Sequence, residues 1–441
     1  MRRAHFAGKL NSAAKKIAIP ILASRALYRR VTTMKATTLL MLTAAPVLAG
    51  TAPTPVPAIT PAPSSYWLTP TLDIRARYEF ADIDGFDPSH AFTIRERLGL
   101  KTAAWNGFSA FIEGEFTQSI VDDYSAGPTN LANANVAGVD PFDPRNSTIF
   151  DPDNNELNQL YGQYAGFDTT VKLGRQRIIY DNAAFVGNVG WRQNEQTYDA
   201  LSIANKSIPG LTLNYAFVNQ VNRIFGADAS GFFENVPGEV HLLNASYAGI
   251  QGVTLGGYIY LMDFDEIEGW DNNTYGVSAK AKALGLTWYG ELAYQEDAGA
   301  ANDDEGLYAH FFAMKEFGKH ALTVGIEHLD AGVQTPLATV HAFNGFADAT
   351  DASRIDGSQP GLTDTYVTYA MPIFCGIKWA NSVHFFGDNA ISDDLGFGID
   401  SVLTKKFDDH FTGIFKLGYH DSNDSIYRTT TRASMELNYA F

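Results

Sequence analysis

Apolar and polar residues alternate along the chain from about residue 66 onward, in segments of roughly ten residues. In the segment 273–283, Tyr275 and Val277 fall on one face, and Thr274 and Ser278 fall on the other. A period of two predicts β-strands with one apolar face and one polar face. Short turns and long loops alternate between these segments, which is typical of an all-β, transmembrane antiparallel barrel with long loops at one end.

The segment that ends at Phe441 shows this alternation most clearly. Met435, Leu437 and Tyr439 fall on the same face of the strand as Phe441. Glu436, between Met435 and Leu437, falls on the other face. An exposed strand of this kind needs a hydrogen-bonding partner for its edge and an apolar medium for one face, and a closed barrel in a membrane supplies both. The alternative is an edge strand of a soluble sandwich. The terminal aromatic residue resembles the C-terminal signature of bacterial outer-membrane barrels, which implies recognition of Phe441 by the barrel-assembly machinery.

The alternation predicts eighteen strands, and two uncertain segments leave sixteen or twenty as alternatives. An even number places both ends of the chain on one side of the membrane, with all long loops on the other. The predicted strands are 72–80, 91–104, 108–121, 156–167, 169–180, 196–205, 211–223, 241–249, 253–263, 273–283, 286–296, 305–317, 320–330, 361–371, 374–386, 393–405, 411–421 and 427–441.

The N-terminal region has a different composition. Residues 1–49 contain basic residues and no acidic ones, and a short apolar run before Ala49 follows Met34 and Lys35. This order predicts a start at Met34 and a signal peptide cleaved after Ala49. Residues 50–65 are rich in Pro, Ala and Thr and predict a linker. The barrel domain then covers 66–441, and we expect it in the outer membrane of a Gram-negative-type bacterium.

Composition excludes several classes of function. The sequence pI is about 4.9 and the formal net charge is −17, which argues against nucleic acid as a partner. The single cysteine, Cys375, excludes an internal disulfide and a metal cluster held by several cysteines. We expect no cofactor, no metal and no catalytic residue.

Charged residues should face the interior, because a charge at the middle of the membrane costs about 2–4 kcal/mol. A barrel of this width is too wide for its own side chains to fill, so the lumen holds water unless loops fill it. By parity the lining is slightly basic. Glu96 is the exception, since it has the apolar parity and needs a bulge, a rim position or a neighbouring arginine. The basic residues predicted to line the pore on this argument are Arg75, Arg77, Arg95, Arg97, Lys101, Lys280 and Lys282.

Residues 156–200 are the least generic part of the sequence. They contain Leu173-Gly174-Arg175-Gln176-Arg177-Ile178 and a run rich in Asn, Gln and Gly around Trp191-Arg192. Together with Ile94-Arg95-Glu96-Arg97-Leu98, this stretch resembles the alginate export family of outer-membrane proteins. The resemblance implies a monomeric, eighteen-stranded barrel with an arginine-lined, electropositive constriction, and an anionic polysaccharide as a partner.

The loop 181–195 has the composition of a loop folded into the barrel. Arg175, Arg177 and Arg192 would then pair with acids near the constriction, although the two arginines on the strand have the apolar parity and need a bulge to face inward. The alternative is an external loop without contact with solute. The acids predicted at the constriction are Asp181, Glu195 and Asp199.

The leading hypothesis is a channel that passes anionic solutes or an anionic polysaccharide by diffusion. An exporter of a charged polymer needs a continuous basic track, whereas the alternative, a general or sugar-specific porin, needs a constriction with separated charges. A lipid-modifying enzyme would need a serine–histidine pair, for which Ser246 with His241 and Ser382 with His384 are the candidates. A structural barrel with calcium-binding loops at 140–143 and 151–155 is a further alternative. Membrane lipid is a partner in every case.

Overall fold

The computed structural model describes residues 67–127, 145–227, 229, 231–298, 304–351, 355, 361–389 and 394–441. The predicted signal peptide (1–49) and linker (50–65) lie outside the described residues, as does the acidic stretch 140–143. None of the helices within the described ranges is long and apolar enough to span a membrane.

The described chain forms one antiparallel sheet of eighteen strands, in which each strand pairs with its neighbours in chain order. Four short 3₁₀ helices lie in the described parts of the connections, at Gly231–Phe233, Glu268–Trp270, Val340–Ala342 and Phe374–Gly376. The strands are β1 (Leu68–Ile83), β2 (Ser89–Thr102), β3 (Phe108–Asp123), β4 (Asn154–Gly166), β5 (Thr169–Gln176), β6 (Thr197–Asn205), β7 (Leu211–Asn222), β8 (Asn235–Ile250), β9 (Val253–Met262), β10 (Asn272–Ala283), β11 (Leu286–Ala298), β12 (Asp304–Phe317), β13 (His320–Leu329), β14 (Leu362–Pro372), β15 (Lys378–Gly387), β16 (Asp394–Lys406), β17 (Phe411–Ser422) and β18 (Thr430–Ala440).

The first and last strands close the sheet into a barrel. In the β1–β18 register, Tyr78 faces Met435 and Asp73 faces Ala440. The backbone of Phe441 continues the pairing, because its N–H donates to the carbonyl of Leu72 at 2.9 Å and its own carbonyl accepts from the N–H of Leu72 at 3.2 Å. The predicted eighteen-stranded antiparallel barrel is therefore confirmed, and no sheet edge stays open at this seam.

Tight turns join the strands at one end of the barrel. Phe167 and Asp168 both have left-handed φ values, 54° and 53°, as do Asn106 (50°) and Gly107 (86°). Two successive positive φ values define the type I′ turn, whose twist matches that of the strands on either side. The other end carries the long loops. In barrels of this architecture the short turns face the periplasm.

Four predicted strand limits are wrong by four residues or more, and the first of them is the start of β1, which lies at Leu68 rather than at 72. β5 ends at Gln176 rather than near residue 180, because the following residues leave the sheet and enter the barrel. β15 begins at Lys378, since the chain forms a 3₁₀ turn at Phe374–Gly376 in which Cys375 has φ of 54°. β8 begins already at Asn235, because it pairs with the end of β7 across a bulge between Val218 and Gln220.

The outer surface is apolar across the middle of the wall. Val277, Leu292 and Met435 are more than half exposed there. Aromatic residues concentrate at the short-turn end, where Trp105, Phe167, Phe374 and Phe407 are 61–90% exposed. An apolar belt bordered by aromatic side chains is the surface of a transmembrane barrel, in agreement with the location predicted for it in an outer membrane.

Two loops fold into the barrel rather than outward, the first inner loop (residues 177–196) and the second inner loop (residues 330–351). Their backbones are joined, since the N–H of Gly187 donates to the carbonyl of Leu337 at 2.8 Å and the N–H of Thr339 donates to the carbonyl of Ala183 at 3.0 Å. Phe185 and Leu337 belong to a buried apolar cluster that includes inward-facing residues of β6–β9, so this barrel has a hydrophobic core inside its lumen.

Candidate functional site

The interior wall formed by β1, β2, β17 and β18 carries most of the predicted basic residues. Arg77 is 1% exposed and donates to the backbone carbonyl of Trp191 in the first inner loop. Its guanidinium also lies 3.1 Å from Asp151 and 3.3 Å from Glu436. The strand arginine thus fixes the loop through a carbonyl and is itself neutralised by acids.

Arg192 of the first inner loop is the centre of a second set of ion pairs. Its two terminal nitrogens lie 3.2 Å from Glu79 on β1 and 3.1 Å from Asp348 of the second inner loop. Burial would lower the pKa of Arg192, but Glu79, Asp151 and Asp348 raise it above its ordinary value. Arg192 therefore links the strand wall to both inner loops.

Asp348 is the acid that this arginine shares with other cations. Burial alone would raise the pKa of the Asp348 carboxyl, but His341, Arg192 and Arg432 hold it below its ordinary value. Arg432 on β18 lies 3.9 Å from Asp348 and donates to the backbone carbonyl of Ala347 at 2.9 Å. The second inner loop is thereby tied to the barrel wall as well.

A third set of ion pairs surrounds Glu195. Arg177 lies 2.5 Å from Glu195 and 2.9 Å from Glu113, and Arg97 pairs with Glu115 while also approaching Glu195 at 3.7 Å. Burial opposes ionisation of Glu195, but Arg177 and Arg97 lower its pKa to about 2. Arg177 lies just beyond the end of β5, and its side chain turns into the barrel toward Glu195.

Arg75 and Arg95 lie beneath the first inner loop. Arg75 donates three hydrogen bonds to backbone carbonyls, those of Gly190 (3.1 Å), Trp191 (2.9 Å) and Arg192 (3.0 Å). Arg95 pairs with Asp73, and its Nε and one terminal nitrogen have no hydrogen-bond partner. The side chain of Arg75 is 14% exposed and that of Arg177, beyond the end of β5, is 32% exposed, so these two are more accessible than Arg77, Arg95, Arg97 and Arg192.

We call the interior near the short-turn end the vestibule. Five inward-facing lysines line it, and none of them forms an ion pair within the described ranges. Lys172 lies 4.7 Å above the ring of Tyr161. Lys280 faces Tyr289 across the β10–β11 pair. The five vestibule lysines are Lys101, Lys172, Lys280, Lys282 and Lys378.

The adjoining part of the wall, on β11–β16, presents carboxylates. Glu291 accepts hydrogen bonds from the hydroxyls of Tyr258 (2.7 Å) and Tyr289 (2.6 Å). Asp364 lies 2.8 Å from His384, which also approaches Asp400 at 3.4 Å. Glu327 accepts hydrogen bonds from Tyr308 and Asn344. Arginines thus concentrate on one part of the wall, and carboxylates held by Tyr, Asn and His on the adjoining part.

Two predicted site residues lie elsewhere. Arg175 and Asp199 face each other across β5 and β6 on the outer surface, where they form a bidentate pair at 2.8 and 3.0 Å. The prediction that they line the lumen is wrong, because no bulge within β5 changes the parity of Arg175. Asp181 lies in the first inner loop as predicted, but it accepts a hydrogen bond from Asn244 at 2.6 Å rather than pairing with one of the three arginines.

Glu96 keeps its outward parity. It faces Ile74 on β1 and Phe116 on β3, and its side chain is exposed on the apolar surface. The register shift in the β2–β3 pair lies between Phe92 and Thr93 and leaves the parity of Glu96 unchanged.

Neither candidate serine–histidine pair is joined by a hydrogen bond in the described part of the chain. Ser382 shares a hydrogen bond with Thr368 at 2.8 Å, while His384 is held by Asp364. His241 is hydrogen-bonded to Tyr215 at 2.9 Å. Among the described residues, including 151–155, no group of three His, Cys, Asp or Glu side chains is placed to hold a metal ion.

Sequence reasoning missed the second inner loop. His341 stacks on Trp191 with ring centroids 3.7 Å apart and an interplanar angle of 6°. Lys416 on β17 lies 3.9 Å above the same Trp191 ring and 2.9 Å from His341. Residues 331–360 have no strand periodicity, and nothing in their composition distinguishes an inward loop from an outward one.

No family model matches the chain, and no curated protein matches it in sequence. The fold does match solved structures. The outer membrane protein OpdK of Pseudomonas aeruginosa superposes with a TM-score of 0.63 at 10% identity, covering 85% of this chain and 98% of OpdK. OccAB4 of Acinetobacter baumannii gives a TM-score of 0.64 at 12% identity, with 85% and 98% coverage.

A third neighbour is OccK2 (OpdF) of P. aeruginosa, solved in complex with glucuronate. Its TM-score is 0.60 at 12% identity, and the match covers 85% of this chain and 98% of OccK2. At such low identities the likeness establishes the fold alone. The resemblance to the alginate export family stays a prediction, while the eighteen-stranded barrel of this chain is the fold of these Occ and Opd proteins.

Proposed function

We propose that this protein is an outer-membrane channel through which small solutes diffuse, with a preference for solutes that carry an anionic group. This is the porin alternative rather than the export of an anionic polysaccharide. The observation that carries the proposal is the interior itself, which is narrowed by two packed loops and has arginine–carboxylate pairs on one part of the wall and carboxylates held by Tyr, Asn and His on the adjoining part.

The inner loops argue against passage of a polymer. They are bonded to each other through backbone groups, and they share a hydrophobic core with β6–β9. A chain of sugar residues would have to displace this core. A solute of one or two rings needs only the space beside the loops, next to the partly exposed Arg75 and Arg177.

The charges also argue against a continuous basic track. Arg77, Arg97 and Arg192 are all within salt-bridge distance of carboxylates and are nearly fully buried. Their charges are compensated locally, so they act mainly as braces that shape the constriction. Separated charge across a narrow lumen orients a dipolar solute and selects among solutes by charge, as expected for a porin.

The vestibule lysines supply the anionic preference. Lys101 and Lys280 are exposed and have no acidic partner among the described residues, so their field extends into the water of the vestibule. Clefts lined by one sign of charge raise the local concentration of oppositely charged solutes. The next cations along the path are Arg75 and Arg177, whose guanidinium groups are suited to carboxylates.

A small sugar acid is the solute class that fits these features. Its carboxylate would follow the lysines and arginines, and its hydroxyls would meet the Tyr289 and Glu291 side of the lumen. The likeness to OccK2, which was solved with glucuronate, supports this choice of test solute.

The proposal is tested by conductance of the purified barrel in a planar bilayer under a salt gradient. We expect a reversal potential that indicates anion preference, and a severalfold lower anion-to-cation permeability ratio for the double variant Lys280→Glu/Lys282→Glu. The matched control is Lys319→Glu, which reverses an exposed lysine in the turn between β12 and β13 and should leave the ratio unchanged. Cation preference of the unmodified protein would overturn the anionic part of the proposal.

Swelling of protein-containing liposomes tests the size limit separately. Glucuronate should enter rapidly, whereas an alginate oligomer of about six residues should be excluded because the inner loops block it. Rapid entry of the oligomer would favour the exporter over the porin.

A further inference from the structure

Trp191, His341 and Lys416 join three separate elements inside the barrel. Trp191 belongs to the first inner loop, His341 to the second, and Lys416 to β17. The imidazole and indole rings are parallel and 3.7 Å apart, and the Lys416 ammonium lies over the indole at 3.9 Å. All three side chains are more than nine-tenths buried. This cluster, together with the Arg192–Asp348 ion pair, holds residues 340–351 against the first inner loop.

The hydrogen bonds of His341 define its protonation state. Nδ1 lies 2.6 Å from a carboxylate oxygen of Asp348, and Nε2 lies 2.9 Å from Nζ of Lys416. A carboxylate can only accept and an ammonium can only donate. His341 is therefore neutral, with its proton on Nδ1 donated to Asp348 and the lone pair of Nε2 accepting from Lys416.

A second proton on His341 has no acceptor. It would sit on Nε2 and point at the ammonium group of Lys416, which places two like charges 2.9 Å apart in a buried site. Burial, together with Lys416 and Arg192, lowers the pKa of His341 to about 3, although Asp348 acts in the opposite direction.

Charged groups surround this histidine from every element packed against it. Asp348 attracts the added proton, and the nearby arginines and Lys416 repel it. The acids of β1 and β18 are already engaged by arginines. Among the described residues, these groups are Asp348 of the second inner loop, Arg192 of the first, Lys416 of β17, Arg432 and Glu436 of β18, Arg77 and Glu79 of β1, and Asp151, which lies 3.1 Å from Arg77 and 3.9 Å from Arg192.

We propose that His341 is an acid-operated latch between the two inner loops. Protonation breaks the hydrogen bond with Lys416, separates His341 from Trp191, and releases residues 340–351 from their place in the lumen. The released imidazolium reaches water, where its charge is solvated. Raising the pH restores the neutral ring and the stack.

The release is confined to one part of the second inner loop. Residues 337–339 are held by backbone hydrogen bonds to Gly187 and Ala183, and Leu337 lies in the apolar cluster. None of these contacts involves a titratable group. Acid therefore frees the segment after Thr339 while the segment before it stays in place, which makes 183–189 an internal reference.

The latch is tested by hydrogen–deuterium exchange at pH 7.5 and pH 4.5, with rates corrected for the intrinsic effect of pH. A released histidine with an ordinary pKa of 6.5 favours the open form about 10- to 100-fold more at pH 4.5 than at pH 7.5. We expect protection in residues 340–351 to fall by that factor, and protection in 183–189 to stay unchanged.

Two variants distinguish the effect of His341 protonation from a nonspecific loosening of the structure at low pH. His341→Gln cannot be protonated, and Lys416→Met removes the charge that opposes protonation, so each should abolish the pH-dependent loss of protection in 340–351. The control His328→Gln changes a histidine bonded to Thr363 and Asp330 at the end of β13 and should respond like the unmodified protein. Equal loss of protection in His341→Gln, or no loss in the unmodified protein, would overturn the proposal.

Conductance recorded at the same two pH values shows whether the latch affects flow. We expect a change in open-channel current at pH 4.5 that is absent in Lys416→Met. Because hydrogen exchange reports the loop whether or not the barrel conducts, failure of the latch and failure of the channel proposal give different results.

Discussion

The two halves of the barrel interior hold the same pair of loops by different physical means. On the β6–β9 side, Phe185, Val186 and Leu337 are nearly fully buried among apolar side chains. On the β1, β17 and β18 side, Trp191, Arg192 and Asp348 are held by ion pairs, hydrogen bonds and stacked rings. Apolar burial is non-directional and independent of pH, whereas ion pairs fix orientation and depend on protonation. The first half anchors the loops, and the second half positions them.

Arg192→Ala should cause the largest loss of stability, because it leaves Glu79 and Asp348 buried without the guanidinium group that pairs with both. Removal of one member of a buried ion-pair network costs about 3–5 kcal/mol. We expect the guanidinium chloride midpoint of the refolded barrel to fall accordingly. The control is Lys406→Ala, which removes an exposed pair with Asp409 and should leave the midpoint unchanged. An unchanged midpoint for Arg192→Ala would mean that the charged half contributes no net stability.

Phe185→Ala should be second. Its ring packs edge-on against Tyr308 at 5.1 Å and is 4% exposed, so truncation leaves a cavity and costs about 3 kcal/mol. Faster hydrogen exchange in residues 183–189 would register this loss. Phe167→Ala, at a turn residue that is 90% exposed, is the matched control. If both variants exchanged alike, the apolar half would not be a packed core.

Gly187→Ala tests the place where the two halves meet. A Cβ atom on Gly187 would lie 2.2 Å from the hydroxyl oxygen of Thr339 and 3.0 Å from its backbone nitrogen. We expect overpacking to cost about 1–3 kcal/mol and to separate the inner loops at this point. The measurement is the midpoint of chemical unfolding. The matched control is Gly162→Ala on β4, where no atom lies within 4 Å of the new Cβ and where φ, as at Gly187, is not positive. Equal shifts in the two variants would count against close packing at Gly187.

Acid should loosen the charged half alone, and by the smallest amount. The folded-state pKa of Glu195 is about 2, below its ordinary value of 4.5, so its contribution to stability is present above pH 4.5 and is lost as the pH falls toward 2. At pH 3.5 this loss is about 1 kcal/mol. Hydrogen exchange in 190–196 should accelerate before exchange in 183–187. Simultaneous acceleration of both segments would contradict a charge-specific effect, and Glu195→Gln should remove the difference.

The sequence predicts the strands well, because the alternation of lipid-facing and lumen-facing residues is a local property of each segment. Most strand limits lie within a few residues of those predicted, and the inward position of Arg75, Arg77, Arg95 and Arg97 follows from parity alone. The strand limits that failed depend on features outside the alternation, such as the left-handed Cys375 and the bulge in the β7–β8 pair.

The site was less predictable, because its partners come from distant parts of the chain. Arg192 meets Glu79 and Asp348, which lie in different elements, and no local pattern connects the three. The arginine-rich motif led to the prediction that Arg175 lies in the lumen. In the structure, its ion pair with Asp199 allows Arg175 to stay on the outer face. Composition predicted that residues 181–195 fold inward, but it gave no sign of the second inner loop.

The seam between β1 and β18 has a consequence for the order of assembly. Every other pair of neighbouring strands is joined through a single connection, whereas Leu72 can bond to Phe441 only after the chain between them has taken its place. Joining such distant segments carries the largest loop-closure entropy in the molecule. The other hairpins can form one after another, but the barrel closes last and in a single step. Until then both strands expose unpaired backbone groups. The chain is therefore most prone to pair with other proteins just before β1 and β18 join.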